Sequence, residues 1–142
     1  MLFLTASKIK LLALQLSTFL IFYFISMVIL DRSFYLFRWT ADNRYIYIWV
    51  IVIILTLKDK KIVALSITLG NMTGIIIGQF LGDYIKYINQ AKITDDTSPE
   101  IVWSLVETHR GFQIWIMTLL IFIICGFLIQ KLKTRLSTPS YY

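Results

Sequence analysis

The chain has a single cysteine, Cys125, and a single histidine, His109, and that scarcity removes several chemistries at once. No internal disulfide can form, and no thiolate metal cluster can be assembled. Cys125 lies inside an apolar run, where burial favours the neutral thiol, so it reads as a small core residue. Charge is equally sparse: 15% of the 142 residues are charged, against about 25% in soluble domains. Alanine and proline are few while isoleucine, lysine and tyrosine abound, the balance of an AT-rich coding sequence, and the size suits a bacterial inner-membrane protein. Met1 to Ala6 carries no basic leader, and no small-residue cleavage site follows the first apolar run, so an uncleaved span is expected there rather than a signal peptide.

What the chain does have is apolar length. Hydrophobic residues make up 58% of it and gather in long runs separated by short charged clusters. The expected fold is an all-α integral membrane protein, one helical domain over 1–142, with four transmembrane helices at about 11–30, 42–57, 62–82 and 112–129. The second is the short one. Tyr45 to Leu57 supplies about 20 Å of helix against a hydrocarbon core of about 30 Å, so the reading starts it at Asp42 as N-cap, with Trp39, Tyr45, Tyr47 and Trp49 at the interface. Lys58 to Lys61 makes a tight polar turn, and residues 137–142 read as a flexible tail.

The long connection after the third span carries an amphipathic helix at about 99–110, preceded by a turn over Ile93 to Thr97. Ser98 can cap it, Pro99 fits its first position, Glu100 complements its positive end, and His109, Arg110 and Gly111 make a basic last turn with a glycine stop. Ile101, Val102, Leu105 and Val106 share an apolar arc of about 140°, with His109 at its middle, so this extracytoplasmic helix is expected on the membrane surface.

Basic residues set the expected orientation. Eight (Lys8, Lys10, Lys58, Lys60, Lys61, Lys131, Lys133, Arg135) fall on one side and six (Arg32, Arg38, Arg44, Lys86, Lys92, Arg110) on the other, the latter mixed with seven of the eight acids. Both termini are then cytoplasmic in a multi-pass protein of the cell membrane.

Two groups of residues stand out. Gly70, Gly74, Gly78 and Gly82 recur every four residues in the third span, a small-xxx-small stripe that lets another helix approach closely. Asn71 shares that face and Gln79 stands at its border. These six residues are candidates either for helix packing or for a narrow polar path, since polar groups inside a span often mark solute routes. The second group, Arg38, Asp42 and Arg44 beside the short span with Asp83, Glu107 and His109 from the other connection, is the candidate outer vestibule. His109 could sense pH or relay a proton, or could hold a helix terminus. Metal binding is not expected: Asp95, Asp96 and Glu100 lack the length and glycine of a calcium loop, and His109 has no partner ligand at useful spacing. No cofactor and no nucleic-acid partner is expected.

Three function classes follow. The first is a channel or small-solute transporter subunit that assembles as a homo-oligomer through its glycine-striped third helix. The alternative is a non-catalytic accessory or assembly subunit of a larger membrane complex, using the same stripe. An intramembrane enzyme is the weakest, with only Asp42, Glu107 and His109 as acid or base groups. Expected partners are membrane lipids and, through the third helix, another copy or another membrane protein.

Overall fold

Thr5 begins the first helix by accepting the Lys8 amide on its hydroxyl (3.4 Å), in the extended backbone usual for an N-cap. This computed structural model describes residues 5–30, 34–43, 45–107 and 109–136. Helix α1 runs Ala6–Phe24 and widens into a π-helical turn over Ile25–Ile29, where the Leu30 amide donates five residues back to the Ile25 carbonyl at 3.0 Å. Then follow α2 (Tyr35–Asn43), α3 (Tyr45–Leu57), α4 (Lys61–Gln90), α5 (Pro99–Glu107) and α6 (Gly111–Leu136). No strand occurs among the described residues.

Three helical stretches, Ala6–Ile29, Lys61–Gln90 and Pro99–Leu136, are long and apolar enough to cross a membrane, and α2 with α3 makes a fourth if the bent pair counts as one span. The protein is therefore an all-α membrane protein. Helix α4 is its centre: 56% of its most apolar window is buried, against 22% for the first stretch and 11% for the last. Helix α6 packs along α4, while α3 and α1 close the other side. The core joins Phe19 and Phe22 of α1, Leu36 and Phe37 of α2, Val52 of α3, Val63, Ala64, Ile67 and Ile75 of α4, and Trp115 of α6.

Several expected boundaries move. The second span does not begin at Asp42, which instead lies in the last turn of α2. The helix starts at Tyr35, and the segments Tyr35–Asp42 and Ile46–Leu57 meet at 64°. The reason is packing: Leu36, Phe37, Thr40 and Ala41 all turn inward and are buried, so 35–43 earns helical structure from the bundle rather than from its own modest hydropathy. Helices α4 and α6 run past the expected 62–82 and 112–129, since their polar tails continue the backbone hydrogen bonding. The amphipathic helix ends at Glu107 rather than 110, so His109 lies beyond it. Cys125 is exposed on α6, not a core residue. The turn before α5 forms with the Thr94 amide donating to the Thr97 hydroxyl at 2.8 Å. The tail over 137–142 lies outside the described residues.

One end of the bundle is tied by lysine chemistry. Lys8, only 6% exposed, donates to the Asp59 carboxylate at 2.8 Å and to the Leu57 carbonyl at 3.1 Å. It thus caps the carbonyl end of α3 and holds Asp59 in the left-handed backbone (φ 60°) that the α3–α4 turn needs. The Ile62 amide donates to Gln130 Oε1 at 3.2 Å and Lys61 reaches Ser7 at 3.2 Å, so α1, the α3–α4 turn and the end of α6 meet here. The opposite end carries the candidate site.

Candidate functional site at the His109 end

The glycine stripe seats α6. A methyl group built on Gly70 would lie 2.6 Å from Phe122 Cβ, on Gly74 2.8 Å from Trp115 Cδ1, on Gly78 2.5 Å from the Gly111 carbonyl, and on Gly82 2.5 Å from His109 Cε1. Each glycine is the space in which an α6-side group sits. The groove is filled within the chain, and its polar insert is engaged there too: the Trp115 indole N–H donates to Asn71 Oδ1 at 3.1 Å. Asn71 is fully buried, and its amide nitrogen has no partner.

Beyond Trp115 a continuous polar chain runs along α4 toward His109. Gln79 accepts the Leu36 amide on Oε1 (2.6 Å) and donates from Nε2 to Asp83 Oδ2 (2.7 Å). The other oxygen of Asp83 meets His109 Nε2 at 3.0 Å, and His109 Nδ1 accepts the Gly111 amide at 3.1 Å. An amide donor at Nδ1 places the ring proton on Nε2, where it is donated to Asp83. Residues 79 and 83, one turn apart on α4, therefore serve two helix N-termini: Gln79 takes the Leu36 amide of α2 directly, and Asp83 acts through His109, which takes the Gly111 amide of α6. Gln79 is buried, while the Asp83 side chain is 46% exposed, so the chain leads from the interior to the surface.

Aromatic contacts join this chain to the second group. The Tyr35 and His109 rings lie 4.9 Å apart, and Trp39 stands edge-on to Phe112 (4.8 Å) and Trp115 (5.7 Å). One cavity of about 240 Å³ is lined, among the described residues, by Tyr35, Arg38, Trp39 and Asp42. A second, of about 270 Å³, is lined by Leu20, Tyr23, Ala41, Asp42, Ile46 and Trp49 in the crease between α1, α2 and α3. Arg38 and Asp42 form an i,i+4 ion pair at 3.6 Å, with side chains 55% and 34% exposed, a weak and solvated contact.

Of the six vestibule candidates, Asp83 and His109 are bonded to each other, and Arg38 with Asp42 is reached from them through Tyr35. Arg44 and the side chain of Glu107 lie outside the described residues. Sequence reasoning missed Tyr35, Trp115 and the Leu36 amide. Tyr35, Arg38, Trp39 and Asp42 follow an i, i+3, i+4, i+7 spacing, the signal that would have placed them on one helical face. Trp115 had none, because its partner Asn71 lies 44 residues away. The chain matches no known protein family, no curated protein and no solved structure.

Proposed function

We propose that this chain is a channel or small-solute transporter subunit that receives its solute at the His109 end, facing the outside of the cell. The observation that supports this reading is the junction at Tyr35. Its ring contact with His109 joins a cavity holding both signs of charge to a polar chain that descends through Asp83 to the buried Gln79. Polar groups at membrane depth are costly to keep, and side chains lining a route are their commonest use. The enzyme reading is weaker, because both nitrogens of the one imidazole are engaged, Nε2 by Asp83 and Nδ1 by Gly111, so His109 is not free to act as a base on a substrate.

Reconstituted in sealed vesicles, the full chain should raise the permeability to at least one of a panel of inorganic ions and amino acids above that of protein-free vesicles. Asp83→Asn should cut that flux about tenfold while helicity by circular dichroism is retained. Absence of flux across the panel would sink the transport reading. The accessory-subunit reading draws support from the α6 ridge of Met117, Leu120, Ile121, Ile124 and Phe127, which is exposed along its length and could meet another membrane protein. A larger protein co-purifying at fixed stoichiometry, together with no flux, is the outcome that reading expects.

A further inference from the structure

The two cavities at the His109 end share one residue, Asp42. We propose that Asp42 is the anionic centre of a binding site for a soluble lipophilic organic cation, seated in the crease of α1, α2 and α3. That this site is where a transported solute is taken up rests on the reading above; the binding itself does not.

Two different walls surround the carboxylate. On one side stand Leu20, Tyr23, Ala41, Ile46 and Trp49, an apolar and aromatic wall around about 270 Å³. On the other stand Tyr35 and Trp39. Aromatic faces carry negative electrostatic potential and attract cations, and a carboxylate set among them adds full charge to that attraction. The crease lies at the bend where α2 and α3 meet at 64°, with Asp42 at the α2 side of the bend and Leu20 and Tyr23 lining it from α1. The apolar wall selects for a bulky organic group over a hydrated metal ion, whose shell these side chains cannot replace.

Arg38 is the competing cation. Its guanidinium reaches Asp42 through one contact of 3.6 Å, and its side chain is more than half exposed, so it can swing into water and yield the carboxylate to a ligand. This gives the proposal its sharpest consequence, because a cation site and a zwitterion or anion site respond to Arg38 with opposite sign.

The test uses the full chain in lipid nanodiscs and equilibrium dialysis against tetraphenylphosphonium, with tetraphenylborate as a probe of the same shape and opposite charge. Empty nanodiscs are subtracted in each case. Saturable binding of the phosphonium, and none of the borate, is expected. Asp42→Asn should weaken phosphonium binding about tenfold, the loss of one ionic contact. Arg38→Gln should leave it unchanged or tighten it. Ile46→Trp, at a position 73% exposed and so harmless to the fold, should fill the crease and abolish it. Equal binding of the borate, indifference to Asp42→Asn, or a loss on Arg38→Gln that equals the loss on Asp42→Asn would each overturn the site. Displacement of the phosphonium by one equivalent of a double-chained trimethylammonium lipid in the disc would overturn its assignment to a soluble ligand. Saturable binding without vesicle flux would leave the site standing and remove the transport reading; flux of other solutes without binding would do the reverse.

Discussion

At the scale of single residues, Gly78 is tightly constrained. A methyl there would press on the Gly111 carbonyl and on Leu36 Cδ2 at 2.8 Å, and the carbonyl belongs to backbone that has no rotamer to change. Gly78→Ala should therefore destabilise the protein by about 1–3 kcal/mol, as overpacking of a close-packed core does. Gly70→Ala presses on Phe122 Cβ at 2.6 Å, an atom that no rotamer change moves, and should cost a comparable amount. Thermal unfolding of the detergent-solubilised chain at two protein concentrations reads both. Gly78→Ala melting with the wild type would mean that α6 does not sit on this glycine, and a cost that vanishes on dilution would mean that the glycine contacts another chain. Asn71 shows the limit of what a helical wheel can say. The wheel puts it on the glycine face, which is a statement about one helix. That its oxygen is taken by Trp115 is a statement about two helices and needs their register.

The elements differ in how much of each was legible, and the difference follows from where their stability arises. Spans over α1, α4 and α6 announce themselves by hydropathy, because in hydrocarbon a helix is the way to satisfy its own backbone and apolar length suffices to predict it. Helix α5 announces its start, since Pro99 and Glu100 are local signals. Its end was misread because His109, Arg110 and Gly111 suit a helix terminus equally well as the start of α6, where the structure uses His109 Nδ1 and Gly111 as a cap. Helix α2 has a helical spacing in its sequence, but not the bond that anchors it. Its first buried amide, Leu36, is satisfied by Gln79, 43 residues onward, and no local pattern encodes that bond. Gln79→Leu keeps the volume but strands this amide in a fully buried position. The expected cost is about 1–3 kcal/mol, localised to α2. Hydrogen exchange should show the α2 amides losing protection while those in the middle of α4 keep theirs; uniform loss, or none, would mean that Gln79 does not anchor this helix.

For the whole molecule, the ties among Lys8, Asp59, Lys61, Ser7 and Gln130 gather the start of α1, the α3–α4 turn and the end of α6 at one end. The eight basic residues counted from the sequence, Lys8, Lys10, Lys58, Lys60, Lys61, Lys131, Lys133 and Arg135, belong to these three segments. Seven of the eight acids lie in the connections toward the other end. Under the proposed orientation this basic end lies in the cytoplasm, as the positive-inside rule predicts, and the two clusters of the candidate site face outward. On a Cys125→Ser background, Asp95→Cys should react with a membrane-impermeant maleimide on intact cells, and Lys60→Cys only after the membrane is opened; both positions are exposed. The reversed pattern would turn the candidate site toward the cytoplasm and end the reading of it as an outward-facing mouth. Half-labelling of both positions would show that the margin of eight basic residues to six does not select one orientation, and that the chain inserts both ways.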